Sequence, residues 1–220
     1  RDVAVTGVQT CALPISLATY VLEPDDLRSL LRRIVVGPGR ATHTPVAPFT
    51  GAPIAPVPVS TPDDVVLAAR RARAAQRLWA ARPLRERAAG LLRMHDLLLA
   101  RQSDVLDLVQ IETGKARVHA FEEVVDVANH ARHYALRAHA YLRDRRVLGV
   151  VPGLSATRVL RHPVGVVGVV APWNMPLIFA ASDVIPALVA GNAVVLRPDP
   201  ATTLTALWVA ELLDDAGLPD

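Results

Sequence analysis

At 220 residues the chain is long enough for one domain of ordinary size, or one and a half. An apolar content of 51% with only 4% aromatic residues sets an Ala/Val/Leu core, ample for a globular α/β protein. The net charge of +3 comes, apart from Lys115, from arginines interspersed with acids with no long single-sign block, so it reflects the codon bias of a GC-rich genome more than a polyanion-binding signal.

The chain begins with a stretch, VTGVQTCALPI at 5–15, that resembles a translated sequencing-library adapter, so residues 1–16 are expected to be non-native. A short secretory signal led by Arg1 is the competing reading, but Gln9, Thr10 and Pro14 interrupt its apolar patch. Cys11, the only cysteine, falls inside this stretch, leaving the rest with no disulfide or metal-thiolate site. Residues 17–47 hold a short helix over 25–33, started by Glu23-Pro24-Asp25-Asp26, and then a Gly/Pro/Thr-rich connector. Prolines at 48, 53, 56 and 58 suit an extended arm or edge strand.

Thr61-Pro62-Asp63-Asp64 is a strong helix start, with an N-cap hydroxyl, proline at the first helical position and two acids at the positive helix end. Val65, Ala68, Ala72, Ala75 and Trp79 recur at helical spacing as its core side, with Arg70, Arg71, Arg73 and Arg77 off it. A second helix begins near Pro83, with Leu84, Ala88, Leu91, Leu92, Leu98 and Leu99 inward. A third runs over 103–112 and stops at Thr113-Gly114; Glu112 and Lys115, at that turn, read as structural. A long helix over 116–143 turns Phe121, Val124, Val125, Ala128 and Ala135 inward. Residues 146–162 form two strands around Pro152-Gly153.

The most informative stretch is 163–199. Val166, Val167, Val169 and Val170 make a buried parallel strand, broken by Ala171-Pro172-Trp173-Asn174-Met175-Pro176. A helix over 177–190 ends at Gly191-Asn192 in the left-handed conformation, and a second strand over 193–196 ends at Arg197-Pro198. The pattern is a βαβ unit, which binds ligands beyond the carboxyl ends of its strands, where Trp173-Asn174 and Arg197 fall. A last helix covers 202–215. The uncharged run 164–182 is no membrane span, because Gly165, Gly168, Pro172, Asn174 and Pro176 break it.

Three other features point to ordinary structure. Gly165 and Gly168 lack the spacing and the following helix that a phosphate loop needs. Asp126, His130 and His133 share a helix face at metal-like spacing, but a solvated face rich in Arg and His is the commoner case. Arg70-Arg71 and the basic run at 143–146 lack aromatic partners for stacking on bases.

Thr61-Pro62-Asp63-Asp64, Glu112-Thr113-Gly114-Lys115, the block at 172–177 and the block at 186–196 occur in the order used by the aldehyde dehydrogenase superfamily, which the chain resembles over 48–220. The stretches 112–134 and 182–199 most resemble NADP-dependent succinate-semialdehyde dehydrogenases. The resemblance implies an α/β fold: the N-terminal part of an aldehyde dehydrogenase-like structure, with a helical N-terminal region, an incomplete Rossmann-like parallel sheet, and an oligomerisation excursion at 146–162.

The resemblance also implies roles. A cysteine thiolate attacks the aldehyde, hydride passes to the nicotinamide, and a glutamate-activated water hydrolyses the thioester. Asn174 matches the asparagine whose amide stabilises the oxyanion; read from the residues alone, the alternative is a turn residue bonding its own backbone. Pro172, Trp173 and Asn174 line the dinucleotide on one side, and Arg197, Pro198, Asp199 and Pro200 line it on the other. Arg197, which read from the residues alone is a solvated strand-end arginine, replaces a family lysine, and Pro200 stands where NAD-using members carry a glutamate that repels a 2′-phosphate. Both departures favour NADP, with NAD as the alternative.

The catalytic cysteine and glutamate of the pattern are absent from 48–220, so this chain is expected to be an inactive N-terminal part of a cytoplasmic enzyme acting on a small-molecule aldehyde. Neither nucleic acid nor a membrane is an expected partner, and homo-oligomers are expected of the full-length protein. Two other classes stay in view. A non-catalytic nucleotide-binding module would bind NADP tightly by itself, and a basic nucleic-acid binder would show salt-dependent DNA affinity.

Overall fold

The computed structural model describes residues 21–151 and 153–219; the adapter-like stretch with Cys11, and Pro152, lie outside the described residues. Helix α1 (Pro24–Leu31) opens with Asp25 and Asp26 in its first turn, as the sequence predicts. The proline-spaced arm makes only short pairings: β1 (Thr42–His43) is antiparallel to β2 (Val57–Pro58), and Val46 bridges Pro53. Helix α2 (Pro62–Ala81) starts with a complete capping box. The Thr61 hydroxyl receives the Asp64 N–H, and the Asp64 carboxylate receives the Thr61 N–H at 2.8 Å.

Helices α3 (Leu84–Ala100), α4 (Gln102–Thr113) and α5 (Arg117–Leu142) come next in the chain. Gly114 ends α4 at φ 73°, a left-handed position that residues with a side chain rarely adopt. α3 lies along α5, and one core runs from Trp79, Leu91 and Met94 through Leu108, Val124 and Ala131 to Leu177, Ile185 and Trp208.

Four residues expected inward are exposed: Val65, Leu99, Phe121 and Val125. The face of α5 that meets its neighbours is Ala120, Val124, Val127, Ala128, Ala131, Ala135 and Ala138. Alanines let α3 approach closely, which leaves the bulkier Phe121 and Val125 on the rim. On α2 the buried positions are Asp64, Gln76 and Trp79, because that face is chosen by hydrogen bonding as much as by apolar content.

Strands β3 (Arg145–Leu148) and β4 (Ala156–Val159) pair antiparallel as an excursion with every residue exposed. Strand β5 (Val166–Val170) and β6 (Ala193–Arg197) then pair in parallel, the expected βαβ unit. β5 is less buried than its sequence suggests: Val169 is buried, Val166 and Val167 are half-buried, and Val170 is exposed. The pair has one neighbour per strand, and α2 packs against both strands.

The single helix expected over 177–190 is two, α6 (Pro176–Ala181) and α7 (Val184–Val189). Pro186 has no N–H for the Ser182 carbonyl, and its ring crowds that carbonyl, so the helix breaks at Ser182-Asp183. Gly191, at φ 90°, makes the left-handed exit before β6. A 3₁₀ turn (Pro200–Thr202) leads into α8 (Thr203–Asp215). No helix among the described residues is long and apolar enough to cross a membrane.

Candidate functional site

The two parallel strands end together. Val170 pairs with Arg197, and the Ala171 N–H donates to the Arg197 carbonyl at 3.0 Å. The loop carrying Pro172, Trp173 and Asn174 therefore leaves the sheet beside the one carrying Arg197, Pro198, Asp199 and Pro200. Pro172, Trp173, Asn174, Arg197 and Pro200 are exposed, while Pro198 and Asp199 are half-buried. Trp173 is 58% exposed, so it is not the core packing residue that a lone tryptophan usually is.

Among the described residues, neither the Asn174 amide nor the Arg197 guanidinium has a hydrogen-bond or ion-pair partner. Asn174 is thus not spent on its own backbone. Asp199 differs: its Oδ1 receives the Ala201 N–H at 2.9 Å and caps the 3₁₀ turn.

Two buried glutamates anchor the helices into which these loops lead. Glu123 of α5 receives the N–H groups of Leu177 (3.0 Å) and Ile178 (3.3 Å), at the start of α6. Its other oxygen pairs with Lys115, the single lysine. Glu112 of α4 receives the N–H groups of Leu204 (2.7 Å) and Thr205 (2.8 Å) and the Thr205 hydroxyl (2.6 Å), at the start of α8. These are donors that a helix leaves unsatisfied at its N-terminus. Burial pushes the Glu112 carboxyl up to about 7, against the Thr205 and Leu204 hydrogen bonds, which pull it down.

The opposite helix ends are held in the complementary way. The Trp79 indole donates to Leu188 O (2.7 Å), Gln76 to Gly191 O (2.9 Å), Arg87 to Val189 O (3.0 Å) and Arg93 to Ala216 O (2.8 Å). The Asn192 side chain receives the Gly165 N–H at 2.8 Å and donates to Ala187 O at 3.0 Å, tying the α7 end to the residue before β5.

Glu112 and Lys115 have the structural roles their turn suggested, whereas Glu123 has no motif in the sequence to mark it. The one signal it offers is that of an acid on the same helix face as Ala120, Val124 and Val127. Of the metal-like trio, His130 contacts the Asp126 carbonyl (3.0 Å) and carboxylate (3.2 Å), whereas His133 contacts the Tyr141 hydroxyl (3.0 Å). Two hollows, of about 320 and 400 Å³, are lined by none of the candidate residues. The candidate site is an open strand-end surface.

A parallel βαβ unit with its loops gathered at the carboxyl edge is the arrangement of open α/β sheets, in which ligands bind beyond the strand ends. The chain belongs to the aldehyde dehydrogenase family, whose model matches residues 37–220. A Mycolicibacterium smegmatis protein named "Putative succinate-semialdehyde dehydrogenase", with NADP(+) as its stated cofactor, is 51% identical over 171 residues, 78% of this chain and 33% of that protein. Among solved structures, an NAD-dependent benzaldehyde dehydrogenase from Corynebacterium glutamicum matches with a TM-score of 0.78 and 33% identity, covering 84% of this chain and 40% of that one. The NADP-dependent glyceraldehyde-3-phosphate dehydrogenase from Bacillus halodurans, solved with NADP, matches with a TM-score of 0.75 and 34% identity, covering 81% and 38%. The chain spans about a third of the length of the curated relatives it matches.

Proposed function

We propose that this chain supplies part of the cofactor domain of an NADP-dependent aldehyde dehydrogenase that oxidises an aldehyde of the succinate semialdehyde type to the acid. The substrate class follows the relatives, which are about 50% identical to this chain and carry that name. The observation that carries the reading is the side-by-side exposure of Asn174 and Arg197 at one sheet edge, both uncommitted.

Bound NADP+ would supply the hydride acceptor. The Asn174 amide would donate to the oxygen of the aldehyde as negative charge develops there. Pro172 and Trp173 would wall one side of the dinucleotide. Arg197 would present its planar fork to a 2′-phosphate, with Pro198, Asp199 and Pro200 framing the adenosine ribose. Pro200 has no carboxylate to repel that phosphate.

Residues 48–220 form the partial NAD(P)-binding domain in this reading, preceded by the helix and connector at 17–47 and the non-native stretch at 1–16. The exposed β3–β4 excursion serves self-association of the full-length, cytoplasmic enzyme. Cys11 is the only thiol and lies outside the matched region, so the chain alone makes no NADPH from succinate semialdehyde. Backbone and indole NMR spectra test the site: NADP+ is expected to shift signals of Trp173, Asn174 and Arg197. Shifts confined to other elements, or NADPH formation by this polypeptide, would contradict it.

A further inference from the structure

We infer that Glu123, clamped by Lys115, is a positioning residue for Asn174, an inference that rests on the role just proposed for the Pro172–Asn174 loop. The loop is short and open. On its sheet side it is tied to β6 by the Ala171 N–H to Arg197 carbonyl bond. On its helix side it runs through Met175 into α6, whose first free N–H groups end on one carboxylate oxygen of Glu123. Pro176 has no N–H, so Leu177 and Ile178 are the first donors after Asn174 that α6 can offer.

Glu123 itself is fixed. Its side chain is 1% exposed, and Lys115, 19% exposed, holds the second oxygen. Lys115 comes from the turn after α4, where the left-handed Gly114 redirects the chain and the Thr113 hydroxyl receives the Lys115 N–H at 3.2 Å. The loop is therefore determined at two points from two directions, the sheet and the α4–α5 corner. Asn174, itself without a partner, takes its place from them. A charge-assisted pair of N–H bonds to a buried carboxylate is a stiff anchor, which suits a donor whose use depends on where a developing charge appears.

The test uses the whole ¹⁵N-labelled chain and the variants Glu123→Gln and Lys115→Arg. Gln keeps the shape but loses the charge and the pairing with Lys115, whereas Arg keeps a cation. In Glu123→Gln, hydrogen exchange at the Leu177 and Ile178 amides is expected to rise at least about tenfold. The Trp173 indole signal moves, and the shift that NADP+ induces in it weakens several-fold. Leu204 and Thr205, anchored by Glu112, keep their wild-type exchange rates, which separates a local effect from general loosening. Lys115→Arg retains the wild-type Trp173 signal.

Unchanged exchange at Leu177 and Ile178 overturns the inference, as does faster exchange with an unmoved Trp173 signal, since Glu123 would then serve only the helix. Loss of protection at Leu204 and Thr205 as well also counts against it. A wild-type chain whose Trp173 does not respond to NADP+ contradicts the proposed cofactor site instead. The inference is then decided by the exchange rates and the free Trp173 signal.

Discussion

Glu112 carries a carboxyl whose ionisation burial resists even though three donors converge on it. Its carboxyl sits at about 7 in the fold, above the ordinary value of 4.5. The native state therefore holds a proton that the unfolded chain has released between those values. The stability Glu112 contributes is fully present below about 4.5 and is lost as the pH rises through about 7. Glu112→Gln removes that slope and sets an amide donor against one of the α8 N–H groups, at a cost of about 1–3 kcal/mol at pH 5. Urea midpoints from pH 5 to 8 measure both effects, and an unaltered slope in the variant would contradict the assignment. Asn174 is the opposite kind of residue, exposed and unbonded, so Asn174→Ala should change stability by less than about 0.5 kcal/mol. In an enzyme of family length carrying this segment, the same change should lower kcat by roughly 100- to 1,000-fold, as steady-state rates would show.

At the level of elements, the α2 capping box is the clearest case of local sequence setting local structure. Thr61→Ala should cost about 1 kcal/mol in thermal or urea unfolding. The Thr61 hydrogen bonds, with help from Arg40, hold the Asp64 carboxyl at about 2, and Gly37 N–H also donates to it at 3.0 Å. Its contribution is present above the ordinary value of 3.8 and disappears as the pH falls through about 2. Such starts and stops were legible because their information lies within four residues: Thr61 to Asp64, the Gly114 stop, the Gly191 exit. The break at Ser182-Asp183 was legible in principle from Pro186 and from those two polar residues, but the apolar segments on either side read as one helix. The inward faces were less legible. On α5 the core prefers Ala120, Ala131 and Ala135 over Phe121 and Val125, a choice made by the approach of α3. Glu123 depends on α6, 54 residues further along the chain, so no local pattern marks its use.

Across the whole molecule, helices α2 to α5 grip the βαβ unit and the α8 that follows it by their helix ends. Acids of α4 and α5 take the N-termini of α8 and α6, and donors of α2 and α3 take the C-termini of α7 and α8. Each partner meets the helix dipole with the favourable sign or polarity. The effect is to anchor the helices that follow the two strand-end loops while leaving Asn174 and Arg197 without partners among the described residues. The positions of both residues were legible from sequence, since strand ends could be read from the Val runs and the prolines. Their lack of partners was not, because it depends on the surrounding surface. If this open edge is a cofactor edge selective for a 2′-phosphate, the selectivity must reside in Arg197. Calorimetric titration of an enzyme of family length carrying this segment, and of its Arg197→Ala variant, with NADP+ and NAD+ decides the matter. NADP+ is expected to bind at least about tenfold more tightly than NAD+, a difference of about 1.4 kcal/mol, and Arg197→Ala to remove the difference. Equal affinity for the two nucleotides, or a preference for NAD+, would refute a 2′-phosphate site at this edge.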